Sequence, residues 1–445
     1  MTSKAENEFL TRTGPGAPMG TLFRRFWIPA LLSDEIALPD CPPVRINLLG
    51  EDLVAFRDSG GRIGILGAYC AHRRSRMYYG RNEEFGLRCI YHGWKYDVTG
   101  ACVDMPSEPP ETDFKGRVRL TSYPAREAGG LVWAYMGPSE LMPDLPKFEW
   151  CGLPRDHLLV TRWIQQCNYL QAAEGEIDPT HAPTLHQWFD GAGGSVAATM
   201  PLVSPPVVGG RPDFARAPRT IVSQEASHGI TSASYVELGD GAVRWRVNRW
   251  LQPFFSLIAT AAFPAGGRSF VPVDDEHVMV FQYIFHPERP LAEHEIEGLK
   301  PNTTLDKEYS PALERCVYTL PHGYAVDTWR DSRNLANDYL QDRVIQRTRN
   351  MSGVVAQRTQ DACVVERQGL GAIADRSLES LGSSDRSIIL MRQLLVRAAQ
   401  DLQRGIEPAN VLQPENFAIR AGEVVSRHTE LAGVLDEHPR LAGKA

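Results

Sequence analysis

Two hydrophobic rhythms run along the chain. From Phe26 to Tyr135 the apolar residues fall in short β-rich runs, VRINLLG, EDLVAFRD, RIGILGAYC and GLVWAYMG, and the turn chemistry of DSGG, VTG and REAGG separates them. A Pro-rich passage at 137–150, GPSELMPDLPKFEW, reads as a linker. TRWIQQCNYLQAAEGE then carries a helical pattern, and the 195–290 region returns to strand-like segments such as ITSASYVEL, AVRWRVNRW and HVMVFQYIF. In the last third, LANDYLQDRVIQRT and SIILMRQLLVRAAQDL repeat apolar residues at three- and four-residue spacing, which predicts helices. No internal repeat or low-complexity segment interrupts these patterns. They predict a small all-β domain over residues 1–150 and a larger α+β domain with an antiparallel sheet over residues 151–445.

Length agrees with this division, since 445 residues make two or three domains at about 100–200 residues each. With 47 Lys+Arg against 54 Asp+Glu, the net charge of −7 and the lack of a basic block give no support for nucleic-acid or anionic-membrane binding. The first twenty residues have no apolar core of the signal-peptide kind. Leu251 to Phe263, the most apolar stretch, contains Gln252 and Pro253 and falls short of the roughly 20 apolar residues that span a bilayer. A cytoplasmic location is expected, in which the 8 scattered cysteines are reduced thiols, metal ligands or catalysts rather than a disulfide framework.

Two of those cysteines carry chemistry. Cys70-x-His72 is followed, after sixteen residues, by Cys89-x-x-His92, so two short loops each offer one thiolate and one imidazole. That stoichiometry suits a 2Fe–2S cluster in which two cysteines hold one iron and two histidines the other, with a reduction potential raised by the neutral imidazoles. A Cys2His2 zinc site uses the same ligand types but usually groups Cys with Cys and His with His, so the mixed order favours the cluster.

A second constellation lies in CNYLQAAEGEIDPTHAPTLHQWFD, which gathers Glu174, Asp178, His181 and His186. Two histidines and one carboxylate on one face of a metal make the facial triad of non-haem Fe(II) oxygenases. On a regular helix, residues five apart point about 140° away from each other. Sharing a metal therefore needs a distorted turn, and Pro179 and Pro183 break regularity there. Asp178 also reads as an N-cap of the short helix before Pro179.

The paired loops together with N-x-x-Q-x-x-E-G-x-x-D-x-x-H-x4-H resemble the Rieske non-haem iron aromatic-ring-hydroxylating oxygenases, α subunit, in their phthalate dioxygenase-like branch. The likeness extends through RRFWIPALLSDEI, LLGEDLVAFRD, GRNEEFGLRCIYHGWKYD, NDYLQDR and TQDACVVERQGLGAIADRSLESLGSSD. It implies a Rieske domain followed by a helix-grip (START-like) catalytic domain whose curved antiparallel sheet is flanked by helices. It implies that Cys70, His72, Cys89 and His92 hold the 2Fe–2S cluster and that His181, His186 and Asp361 (the QD position of TQD) hold mononuclear Fe(II). Asp178 would bridge the two centres for electron transfer, with Asn168, Gln171 and Glu174 as supporting residues. O2 would be the co-substrate, and NAD(P)H would supply electrons through a flavin/iron–sulfur reductase. The implied assembly is a homotrimer, or a stacked pair of trimers, in which the cluster of one subunit serves the iron of its neighbour. Ala71 and Arg74-Ser75 depart from the Pro and Gly-Ala of many relatives, which leaves the ligands intact but alters charge and hydrogen bonding around the cluster.

The expected reaction is hydroxylation of a carboxylated, phthalate- or benzoate-like aromatic, with O-demethylation of a methoxylated aromatic acid as the alternative. In AVRWRVNRW, read as a strand, Arg244, Arg246 and Asn248 share one face. Arg246 and then Arg244 are the candidates for gripping a carboxylate in bidentate fashion; the competing reading makes them solvated strand-face charges. A non-catalytic iron–sulfur or zinc module would need only the first constellation and would leave the second without a purpose.

Overall fold

In the computed structural model, residues 2–189, 207–208, 211–212, 220–261, 263–297 and 312–442 are described. The β-rich N-terminal runs become strands where the alternation places them. Val44–Leu48, Glu51–Arg57, Ile63–Gly67 and Ser122–Tyr123 form one antiparallel sheet. Trp27–Leu32, Leu131–Tyr135 and Ala125–Ala128 form a second. A four-stranded meander, Arg81–Glu83, Gly86–Arg88, Lys95–Tyr96 and Cys102–Asp104, carries the cysteine loops. That meander has a core of its own, in which Cys70 and Cys89 are buried with Phe56, Leu87, Trp94, Tyr96 and Leu120.

The larger part is built on an antiparallel sheet of eight strands. In chain order these are β1 (Leu158–Gln165), β2 (Thr220–Ala226), β3 (Gly229–Gly239), β4 (Ala242–Leu251), β5 (Phe255–Ile258), β6 (Ala265–Pro272), β7 (Val278–Phe285) and, from near the C-terminus, β8 (Gly422–Ser426). Their spatial order is β1-β7-β6-β5-β4-β3-β2, with β8 paired to β4. Helix α1 (Tyr169–Ile177) lies over β4 to β7 and packs against α3 (Gln357–Val365), with the one-turn helix α2 (Ala182–Leu185) between them in sequence. The long helix α4 (Arg386–Gln403) crosses β2 and β3, where the Ser387 hydroxyl meets those of Ser223 and Ser232 at 2.6 and 2.8 Å. The α+β expectation, a small all-β domain and a larger one of antiparallel sheet and helices, describes this architecture.

Several local expectations change. Thr161–Gln165 belongs to strand β1 rather than to a helix, because its alternating side chains pair residue by residue with β7, Thr161 opposite Gln282. The helix begins only after Asn168, whose side chain accepts from the Leu170 N–H. The stretch from Leu335 to Thr348 is broken rather than one helix: Leu335–Leu340 makes interrupted 3-10 turns in which Asp338 and Tyr339 take φ of 48° and 56°, and only Arg343–Thr348 is α-helical. The last third also contains an antiparallel hairpin, Leu313–Thr319 with Ala325–Asp331. The expected strand-rich passage over 195–219 lies mostly outside the described residues.

The Pro-rich passage at 137–150 has little regular structure, yet it is no exposed tether. Phe148 and Trp150 are buried at its end and stack between Trp133 and Tyr283. Gly129 makes room for this, since a Cβ there would sit 2.4 Å from the Trp150 ring. One continuous hydrophobic core consequently runs from the N-terminal strands into the large sheet.

Candidate metal centres

The first centre is made by two tight loops. Cys70 N–H donates to the Ser75 carbonyl and Cys89 N–H to the Trp94 carbonyl, both at 2.8 Å, so each cysteine closes its own turn. Gly93, at φ 81°, is required in the second, where a Cβ would meet Pro106 at 2.5 Å. The thiols are buried and the imidazoles half-buried. The rings of His72 and His92 stand 4.4 Å apart, and His72 stacks on Trp94 at 4.5 Å. Cys70 Sγ lies 3.3 Å from the Tyr96 hydroxyl. His72 Nδ1 is buried with no hydrogen-bond partner, the state expected of a ligand atom turned toward an iron. A paired-iron cluster fits this arrangement, with its cysteine side inside and its histidine side toward the surface. At the departure noted above, Arg74 takes φ 59° and its guanidinium lies over the Tyr69 ring at 4.7 Å. Of the other cysteines, Cys102 and Cys167 are buried, but Cys41, Cys151, Cys316 and Cys363 are only partly so.

The second centre depends on a broken helix. α1 ends at Ile177, and α2 does not start until Ala182, with His181 and His186 flanking its single turn. The two rings come to 5.4 Å despite the five-residue separation. Asp361, on α3, meets them: its Oδ1 lies 3.1 Å from His186 Nε2 and 3.5 Å from His181 Nε2. The three ligand atoms fall within 4.8 Å of one another. Asp361 Oδ1 is nevertheless buried without a hydrogen bond, so these atoms converge on a shared point rather than on each other. A divalent cation fits that donor set. Burial alone would lower the His181 pKa, but Asp178 and Asp361 outweigh it and push it up to about 10, so a cation binding there displaces a proton.

Around the triad stand residues that motif spacing did not reveal. Gln360 donates its amide N–H to the Val354 carbonyl at 2.7 Å, which turns its oxygen to His186 Nδ1 at 2.7 Å. Nδ1 must then carry a proton, and Nε2 is the ring nitrogen turned to Asp361. Asp178 stands at the C-cap of α1 and is not the N-cap of a helix. Its Oδ1 accepts from the Thr180 N–H and hydroxyl at 2.7 and 2.6 Å, while Oδ2 lies 3.4 Å from His181 Nδ1. Arg246 and Asn248 of β4 line the same cleft as His181, His186, Asp178 and Glu176, and Arg246 stands 4.0 Å from Glu423 on β8. Arg244 is half-buried and is absent from that lining.

Asn168, Gln171 and Glu174 anchor α1. Asn168 Nδ2 donates to the carbonyls of Thr11 and Asp275, and Gln171 Nε2 to that of Val365. Glu174 is buried between Arg376 and Arg392, at 3.0 and 2.6 Å. Burial alone would raise its carboxyl, but the two arginines outweigh this and hold it below the usual carboxylate range. The stability it contributes is present above the unfolded carboxylate pKa and is lost as pH falls through the lower folded value. Glu174→Gln is expected to cost about 3–5 kcal/mol by leaving buried guanidinium charge uncompensated. Denaturant unfolding checks this, and the same variant is expected to show a weaker loss of stability on acidification.

Residues 26–124 match the Rieske [2Fe-2S] domain family and residues 134–429 the family described as LigXa C-terminal domain like. The chain is 36% identical over 427 residues to the oxygenase subunit of 3-chlorobenzoate-3,4-dioxygenase of Comamonas testosteroni, covering 95% of each. It belongs to the Rieske non-haem iron oxygenases. Within them it falls in the phthalate dioxygenase-like branch, being 36% identical to the phthalate 4,5-dioxygenase oxygenase subunit of Pseudomonas putida over 91% of this chain and 88% of that one. Dicamba monooxygenase has the same fold, with a TM-score of 0.55 over 86% of this chain and 99% of that one at 16% identity. As a Rieske oxygenase the chain uses a 2Fe–2S cluster, mononuclear iron and O2. The zinc-module reading falls with this assignment. No helix among the described residues is long and apolar enough to cross a membrane.

Proposed function

We propose that this Rieske oxygenase hydroxylates a carboxylated aromatic of the benzoate or phthalate kind. The observation that carries the reading is Arg246, which lines the cleft together with His181 and His186. The relatives named for chlorobenzoate and phthalate support it. Cys70, His72, Cys89 and His92 are the cluster ligands in this reading, and His181, His186 and Asp361 the iron ligands. Residues 1–150 form the electron-receiving domain and 151–445 the oxygenating one. Loaded, the two centres supply electrons drawn from an NAD(P)H-dependent flavin/iron–sulfur reductase and activation of O2 beside the substrate. The chain's own residues do the rest: Arg246 orients the substrate through its carboxylate, Gln360 fixes the His186 tautomer, and Asp178 joins His181 to a cluster histidine of the neighbouring subunit in a head-to-tail trimer.

Turnover of benzoates, phthalates and methoxybenzoates with a surrogate reductase under labelled oxygen tests the reading. Two labelled atoms in a carboxylated product are expected. One labelled atom indicates monooxygenation, formaldehyde release indicates O-demethylation, and turnover confined to uncharged aromatics refutes the carboxylate assignment. Arg246→Met is expected to raise KM for the acid by about 10–100-fold with kcat little changed, the cost of one charge-assisted hydrogen-bonding partner.

A further inference from the structure

A carboxylate can bind a cation through one oxygen or two, and a second oxygen takes up one of the positions that a facial triad otherwise leaves open. In this chain the two oxygens of Asp361 have different surroundings. Oδ1 faces the histidines, while Oδ2 accepts from Arg358 Nη1 at 2.9 Å. Residues 358 and 361 are one turn apart on α3, which puts both side chains on the same face of the helix. The same nitrogen also lies 3.7 Å from Glu176 Oε2 on α1, and Glu176 makes a close ion pair with Arg268 of β6. Arg268 in turn donates to Gln282 of β7 at 3.2 Å. All three charged anchors, Arg358, Glu176 and Arg268, have side chains less than a tenth exposed. The orientation of Asp361 is thus tied through a buried chain of alternating charge to strands β6 and β7 of the sheet.

The geometry points to Arg358 as a positioning residue that commits one oxygen of Asp361 and presents the other alone to the cation bound with His181 and His186. This rests on the reading of those three residues as the iron ligands. A planar guanidinium whose Nη1 donates to one carboxylate and lies near a second supplies a directed hydrogen bond as well as charge. Arg358 touches neither iron nor O2 in this role; it acts through Asp361.

The test uses the full-length protein with its cluster in place and Co(II) as the probe at the mononuclear site. Arg358→Gln is expected to bind Co(II) about 10–100-fold more weakly, the usual cost of removing an outer hydrogen-bond partner of a ligand. Its Co(II) ligand-field absorption is expected to weaken per metal bound, as coordination number rises when the second oxygen is released. Arg358→Lys keeps the charge beside Glu176 but offers a point donor, and is expected to recover part of the affinity and of the spectrum. Co(II) affinity within twofold of the parent together with an unchanged spectrum in Arg358→Gln would overturn the proposal; if that variant does not fold, the same result in Arg358→Lys overturns it. Asp361→Ala separates the two readings. If that variant binds Co(II) like the parent, the ligand assignment itself fails; if it loses Co(II) while both Arg358 variants match the parent, only the positioning role fails.

Discussion

Replacing Asp361 with Ala is expected to lower the iron content from about three atoms per chain to about two, while the visible spectrum of the Rieske cluster stays intact. His181 and His186 remain after the substitution, with rings 5.4 Å apart, but the set then lacks its anionic oxygen donor and keeps only two imidazoles to hold the cation. The fold should tolerate the loss, because Arg358 keeps Glu176 at 3.7 Å. Metal analysis and absorption spectroscopy on the same sample decide the matter. Three irons with normal turnover would place the third ligand elsewhere.

Asp178→Asn is expected to leave both centres loaded and yet cut turnover by about 100-fold or more, as a charged outer partner of a metal ligand becomes neutral. The substitution is conservative in structure, because an asparagine oxygen can still accept the two bonds from Thr180 that form the tight turn after α1. What changes is the group 3.4 Å from His181 Nδ1, from carboxylate to amide. Single-turnover experiments read the effect directly as slower reoxidation of the prereduced cluster in the presence of substrate and O2. Full activity in Asp178→Asn would remove the bridging role and leave Asp178 as a turn residue.

The cluster loops were legible because their chemistry is local. Four candidate ligands within 23 residues, in two matching Cys/His loops, need no tertiary information to recognise. His181 and His186 were legible as a pair, and the two prolines correctly signalled the break that lets them converge. Asp361 was different: nothing in its spacing separates it from other carboxylates, and it entered only through family resemblance. Gln360, Arg358, Glu176 and Arg268 went unnoticed because their roles arise where α1, α3 and β6 pack together. Only the one-turn separation of Arg358 and Asp361 left a trace in the sequence. The misreading of Thr161–Gln165 has a similar origin. Its alternation was continuous with the helix that follows, and pairing with a strand more than a hundred residues away decided its conformation.

The two centres also differ in when the growing chain can build them. Every member of the small core around Cys70 and Cys89 lies at or before Leu120, so the cluster pocket has all its parts early in synthesis. In the proposed assignment, the iron triad cannot close until Asp361 has left the ribosome and its helix has docked on α1. On that assignment, maturation proceeds through a coloured, cluster-bearing intermediate that lacks mononuclear iron, which makes uptake of that last metal a reporter that α3 has docked on α1.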